Sequence, residues 1–222
     1  VSCNLNHAFN HYKEKTMKSQ YRAVVIGGGV VGTSLLYHLA KMGWDDVVLF
    51  EKLKLTSGST WHAAGLLPLF NMSYSVGKIH KYSVDLYQQL EEETGQPVSF
   101  HKNGNLRLAR TEERMDEYRR YSGTASTIGV PYELIGPSEI KNLWPFAEVD
   151  DLVGALYHPD DGHVAPVDVT MALAKGARMN GAEIYTQTEV TGIRQKPNDE
   201  WVVTTSEGDV TCEVVVSCTG NY

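Results

Sequence analysis

The apolar positions of this 222-residue chain fall into short blocks whose period changes from one block to the next. Ala23-Val24-Val25-Ile26 is continuous, the pattern of a strand buried on both faces of a parallel sheet. Val31, Leu35, Leu39 and Met42 then recur at helical spacing, and Gly43 stands where a C-terminal cap belongs. Val47-Val48-Leu49-Phe50 predicts a second buried strand, ending at Glu51. Val76, Ile79, Ser83, Leu86 and Leu90 mark one face of an amphipathic helix that stops at Gly95. Asn105 to Ala109 alternates as a strand does, and Thr111 is placed to cap a helix with Met115, Tyr118, Ala125 and Ile128 inward and Gly129 behind it.

Pro131, Pro137 and Pro145 punctuate a connector in which Pro137-Ser138-Glu139 predicts a short helix. A strand is expected over 152–157, a turn at Asp160-Asp161-Gly162, and a helix capped by Asp168 that runs through Leu173 and Ala177 to Asn180-Gly181. Strands near 184–186 and 190–194 follow. A hairpin about Glu207-Gly208 then joins 201–205 to 209–218, whose run Val214-Val215-Val216 predicts burial. This alternation predicts an α/β protein: a Rossmann-type domain with a parallel sheet and a β-hairpin insertion, and an α+β lobe between its parts.

The connection between the first two strands carries chemistry. Gly27-Gly28-Gly29-Val30-Val31-Gly32 lies between strand and helix, and Glu51 ends the next strand nineteen residues past Gly32. Gly27 permits the tight turn, Gly29 lets the backbone approach a pyrophosphate, and Gly32 lets helix and strand pack closely. The helix N-terminus offers N–H groups and a positive dipole end to the phosphates. Glu51 accepts from ribose hydroxyls and disfavours a 2′-phosphate, so the pattern points to a dinucleotide other than NADP.

The formal net charge is −7, with no basic stripe to neutralise phosphates, so neither nucleic acid nor an anionic membrane is an expected partner. No apolar stretch approaches the roughly 20 residues of a membrane-spanning helix. Cys3, Cys212 and Cys218 form no CxxC pair, which fits a reducing compartment. His7 and His11 lack a third ligand and lie in a polar stretch, 1–20, expected to be an unstructured tail with Met17 as a native start. His158 and His163 flank a turn rather than a metal, and no metal site is expected. Arg107 is considered and set aside as a carboxylate ligand, and Cys218 reads as an inert strand-end thiol.

Several of these segments together carry a family resemblance: Val25 to Gly29, Val47 to Lys52, Leu55 to Leu66 with its Ser59-Thr60-Trp61-His62-Ala63-Ala64-Gly65 string, Leu90 to Gly95, and Asp161-Gly162-His163 followed by Thr170 to Ala174. From about Tyr21 onward the chain resembles the dimethylglycine dehydrogenase and sarcosine dehydrogenase group of the D-amino-acid-oxidase-like flavoproteins. The resemblance implies FAD, held covalently through His62 to the flavin 8α-methyl carbon. Glu51 to His62 spans up to roughly 36 Å when extended, so reach permits attachment. By position it also implies FAD contacts at Gly58, Ser59, Thr60, Trp61, Ala63, Ala64, Gly65 and Leu66. Val30, Val31, Lys52, Val190, Gly220 and Tyr222 join them.

The implied organisation is FAD-binding parts at about 21–72 and 160–222 and an incomplete substrate lobe at about 73–159. The chain reads as truncated just after Cys218-Thr219-Gly220. The implied reaction is N-demethylation of a methylated glycine, with a small-molecule amine and an electron acceptor as partners, and with tetrahydrofolate only in a longer form. No catalytic acid or base is assigned. The alternatives are a related amine or amino-acid oxidase, a non-catalytic flavin-binding subunit, and, on the glycine turn alone, an NAD-dependent dehydrogenase. A cytoplasmic location is expected because the N-terminus lacks a transit-peptide pattern, with the mitochondrial matrix as the alternative.

Overall fold

A computed structural model describes residues 17–221. His7, His11, Cys3 and Tyr222, and the tail as far as residue 16, lie outside the described residues. From Met17 the chain is already part of the fold, a correction to the expected tail: Met17 packs on a core cluster and the Lys18 amide donates to the Tyr21 hydroxyl.

The elements run β1 (Gln20–Ile26), α1 (Val30–Lys41), β2 (Val47–Glu51), a short helical turn (Ser59–His62), β3 (Leu66–Leu67), α2 (Tyr74–Thr94), β4 (Asn105–Ala109), α3 (Glu112–Ile128), β5 (Glu133–Ile135) and α4 (Pro137–Leu143). Next come β6 (Gly154–His158), β7 (Gly162–His163), α5 (Pro166–Met179), β8 (Glu183–Thr186), β9 (Val190–Gln195), β10 (Trp201–Thr205) and β11 (Gly208–Ser217). A six-stranded sheet has the order β8-β2-β1-β11-β10-β9, parallel from β8 to β11 and antiparallel through β10 and β9. A three-stranded antiparallel sheet, β4-β6-β5, is formed from residues between the two halves of the larger one.

The continuous apolar runs are explained by burial on both sheet faces. Ala23, Val25, Val47 and Leu49 pack under α1 and α5, while Val24, Ile26, Val48 and Phe50 enter a second cluster with Val203 and Val210. Each of these Val, Leu, Ile and Phe side chains contributes about 1.5–3 kcal/mol of transfer free energy. β1 has β2 on one side and β11 on the other, so the crevice at its C-terminal end is the switch point where ligands enter open α/β sheets.

Two helices bury their predicted faces only in part. At α1, Val31 and the C-capping Met42 are 66% and 76% exposed, while the predicted Leu35 and Leu39 pack against the core beside the buried Thr33, Leu36, Tyr37 and Ala40. Apolar residues surround this helix, so contact with α5 chooses the face. In α2, Leu86 and Leu90 pack inward as their spacing predicts, but Val76 and Ile79 are exposed and Gly77 and Val84 turn inward, because Gly77 leaves room for Ile128 of α3; a Cβ there would lie 2.5 Å from its Cδ1.

Asp168 does not cap α5. Ala165 occupies that position, and Asp168, in the first turn, accepts from the Ser99 hydroxyl at 2.7 Å. Val214 is exposed although it shares the face of Ala23, because α1 and α5 cover the β8-β2-β1 side of the sheet. α3 follows expectation, with the Thr111 hydroxyl accepting from the Arg114 amide at 3.3 Å.

Candidate cofactor site

The site is built on the turn between β1 and α1. Gly27 has φ +111°, and a Cβ on it would stand 2.6 Å from the Cys218 carbonyl oxygen. A Cβ on Gly32 would lie 1.9 Å from the Gly27 carbonyl oxygen, so the first turn of α1 sits directly against the end of β1. Cys218 itself is tied to β1, its amide donating to the Ile26 carbonyl at 2.7 Å. The first turn of a helix has N–H groups with no partner inside it. One of these, on Val30, donates to the Thr60 hydroxyl at 3.0 Å.

Glu51 meets the same turn. Its Oε2 accepts the Gly28 amide at 2.7 Å and its Oε1 accepts the Leu53 amide at 2.8 Å. Two backbone donors orient the carboxylate while each oxygen keeps a lone pair for a ribose hydroxyl. The β8–β9 connection docks beside it, with the Gln187 and Thr188 amides donating to the Leu53 and Glu51 carbonyls, both at 2.9 Å. That contact brings the start of β9, at Val190, to the Glu51 end of β2.

The loop after Glu51 returns to the glycine turn at two points. Thr60 is one, and Thr56, whose amide donates to the Gly28 carbonyl at 2.9 Å, is the other. Thr56 has φ +73°, an unusual conformation for a β-branched residue. No residue pattern announces it, and sequence reasoning passed over Thr56 and the wall formed by the Cys218 carbonyl.

Gly58 and Ser59 are exposed at the start of the short turn. Trp61 and His62 follow on its open side, with ring centroids 3.9 Å apart and nearly perpendicular. Ala63, Ala64 and Leu66 are exposed, and Gly65, at φ +73°, approaches Val164 so closely that a Cβ would lie 2.0 Å from its carbonyl oxygen. Lys52 is exposed beside Glu51, and Gly220, with φ +69°, lies two residues beyond Cys218. Thus the structure gathers Gly27, Gly29, Val30, Val31, Gly32, Glu51 and Thr60 at one sheet end. Trp61 to Leu66 lead away from it.

This arrangement fits FAD by an observation of its own: at Gly28, Gly29 and Gly32 the space of a side chain is already taken by Glu51 and Leu55, by Thr60, and by Gly27 respectively. The residues are packed to present backbone, which is what a pyrophosphate needs. Thr60→Val keeps the shape but leaves the Val30 amide without its acceptor. The expected result is a loss of about 1 kcal/mol in stability and weaker FAD retention, read by thermal unfolding and by flavin absorbance per chain.

A second polar group of residues lies under β3. His158 and Asp161 are 0% and 2% exposed. Asp161 Oδ1 accepts the Leu69 amide at 2.9 Å, and the Tyr121 hydroxyl reaches the Leu69 carbonyl at 3.3 Å and His158 Nε2 at 3.0 Å. Burial, with the Arg107 charge beside it, pulls the His158 imidazole down to about 4; burial pushes the Asp161 carboxyl up to about 6. The Arg107 guanidinium stacks 4.5 Å over the Phe70 ring. Among the described residues no group of three or more His, Cys, Asp or Glu could hold a metal ion. No helix there is long and apolar enough to cross a membrane.

Comparison with known proteins places this geometry. Mitochondrial dimethylglycine dehydrogenase of Rattus norvegicus is 45% identical over 203 residues, covering 91% of this chain and 24% of that protein. The mitochondrial pyruvate dehydrogenase phosphatase regulatory subunit of Mus musculus and mitochondrial sarcosine dehydrogenase of Homo sapiens are each 39% identical, covering 93% of this chain and 24% and 23% of theirs. The chain therefore spans about a quarter of the length of these relatives. The crystal structure of L-proline dehydrogenase from P. horikoshii superposes with a TM-score of 0.84 at 32% identity, over 91% of this chain and 54% of that one. The FAD dependent oxidoreductase (DAO) family matches residues 22–222, and the chain belongs to it.

Proposed function

We propose that the chain is the FAD-binding portion of an amine dehydrogenase that N-demethylates a methylated glycine such as dimethylglycine or sarcosine. The observation that carries this reading is the meeting of the glycine turn, Glu51 and Thr60 at the switch point of the sheet, with Trp61 and His62 next in the chain. Similarity to dimethylglycine and sarcosine dehydrogenases over nine-tenths of the chain supports it. In this reading Gly27, Gly29, Val30, Val31, Gly32, Ser59 and Thr60 hold the pyrophosphate. Glu51, with Lys52 after it, takes the ribose, and Val190 meets the adenine through its backbone. Gly58, Trp61, Ala63 to Leu66, Gly220 and Tyr222 lie along the flavin, and His62 is the residue of covalent attachment.

Bound FAD supplies the two-electron oxidation of the N-methyl carbon. The division into FAD-binding parts at about 21–72 and 160–222 and a lobe at about 73–159 belongs to the same reading, as does a folate-binding region in a longer form of the chain. The names of the relatives favour the mitochondrial matrix over the cytoplasm.

Mass analysis of the proteolytic peptide containing His62, from denatured full-length protein, tests attachment directly. A flavin adduct on that peptide is expected, and His62→Ala is expected to abolish it while leaving FAD extractable. An unmodified wild-type peptide would send the assignment to the non-covalent oxidases. Similarity to a regulatory subunit favours a second reading, a flavin-binding subunit without turnover. Anaerobic addition of dimethylglycine or sarcosine separates the two: a bleached flavin supports the dehydrogenase, and one that stays oxidised supports the subunit.

A further inference from the structure

The turn Asp160-Asp161-Gly162 and the buried histidine before it take no part in the cofactor cradle, yet they sit under the segment that leaves it. That segment is held at nearly every residue. Gly65 accepts from the Val164 amide at 3.0 Å, Leu66 and Leu67 pair with His163 and Gly162, the Pro68 carbonyl meets His80 Nδ1 at 3.0 Å, and both backbone groups of Leu69 end on buried side chains. β3 and β7 are two residues each, and a ladder that short does not hold itself in water. Asp161 is the residue directly before β7, so its bond to Leu69 extends this ladder with a side chain.

The arrangement is costly to build. Burying the Asp161 carboxyl and the His158 imidazole beside Leu69 and Tyr121 sacrifices solvation that apolar residues of the same size would not. Only one tautomer satisfies both bonds of the Tyr121 hydroxyl: His158 donates from Nε2 to the tyrosine oxygen, and the tyrosine proton goes to the Leu69 carbonyl. The result is a grip with a defined hydrogen-bond direction, from His158 through Tyr121 to the Leu69 carbonyl. Leu66, 68% exposed, stands on the strand so held, four residues past His62.

We propose that Asp161, Tyr121 and His158 are positioning residues for the flavin-bearing segment: by gripping both backbone groups of Leu69 they set the place of the Leu66–Leu67 strand, and through it of the His62 turn, against the flavin. This rests on the reading of His62 as the attachment residue. The grip acts at a distance from the pyrophosphate cradle, so its loss separates attachment from binding.

The test compares full-length wild type, Asp161→Ala, Asp161→Asn and Tyr121→Phe. FAD content per chain, the rate at which the His62 peptide acquires the flavin mass, and kcat and KM for dimethylglycine are measured. Asp161→Ala and Tyr121→Phe are expected to keep FAD content within twofold and to slow attachment at least tenfold. Asp161→Asn, whose amide oxygen still accepts from Leu69, restores the rate to within threefold of wild type. Wild-type attachment rate and kcat in a folded Asp161→Ala or Tyr121→Phe protein would overturn the proposal. If Asp161→Ala does not fold, Tyr121→Phe, which keeps the ring, decides it alone. If the wild-type peptide carries no flavin, attachment at His62 fails as a reading, and the fluorescence of bound FAD decides the grip. A change in Asp161→Ala that Asp161→Asn reverses supports it, and identical spectra overturn it.

Discussion

Gly32→Ala is expected to lose FAD almost completely and to lower stability by about 3 kcal/mol, the upper end of overpacking costs. The new methyl would be placed 1.9 Å from the Gly27 carbonyl oxygen, against an ordinary contact of 3.4 Å or more. That oxygen belongs to backbone tied on both sides, by the Gly27 amide to Phe50 and by Cys218 to Ile26, so it has nowhere to go. α1 must lift from β1 instead, and its N-terminus, the Val30 amide included, leaves the place where the pyrophosphate belongs. Gly43→Ala is the matched control. Gly43 also has a positive φ, +82°, but nothing lies within 4 Å of its Cβ position. Its expected cost is about 1 kcal/mol of backbone strain with FAD retained. Chemical denaturation and flavin absorbance per chain measure both; equal flavin loss in the two variants would show that close approach at Gly32 is not what the site needs.

Asp161→Asn and His158→Gln are expected to change the acid response of stability in opposite directions. His158 binds its proton at about 4 in the fold and at 6.5 unfolded. Between those values only the unfolded chain is protonated there, so this group lowers stability as pH falls. Asp161 binds its proton at about 6 in the fold and at 3.8 unfolded. Here the folded chain holds the extra proton, and acidification from 6 towards 3.8 raises stability. Each contribution amounts to about 3 kcal/mol across its window, and in the wild type they nearly cancel between pH 4 and 6. Asp161→Asn leaves the histidine uncompensated and is expected to lose about 3 kcal/mol more than wild type between pH 6.5 and 4. His158→Gln is expected to gain a similar amount over the same range. Urea denaturation at pH 6.5, 5 and 4 reads the slopes, and parallel lines for the three proteins would remove the cancellation.

The legible parts of this molecule are those whose cause is local. β1, the glycine turn, α1, β2 and Glu51 form within 32 residues, and each step has its own signal: a doubly buried strand reads as an unbroken apolar run, a tight turn as glycine, a capped helix as Thr111 before α3. The faces of α1 and α2 were legible only in part: Leu35, Leu39, Leu86 and Leu90 pack inward as read, and Val31, Val76 and Ile79 do not. Val30-Val31-Leu35-Leu36-Leu39 wrap the first helix, so period alone admits several orientations, and α5 selects one. In the second, the cue was the smallest residue, Gly77, which gives no hydrophobic signal but lets Ile128 in. Asp168 looked like a cap because it is an acid near a helix start, and contact with Ser99 uses it otherwise.

By itself the sequence determined an α/β chain with a dinucleotide turn and an acid at the second strand, because glycine, β-branched runs and capping residues act through their neighbours in the chain. Tertiary structure alone decided that Thr60 closes the α1 N-terminus from thirty residues away, that the Cys218 carbonyl walls Gly27, and that Tyr121, His158 and Asp161 converge on Leu69 across 52 and 92 residues. Contacts at such separation leave no period in the chain, since their geometry exists only after the strands have paired.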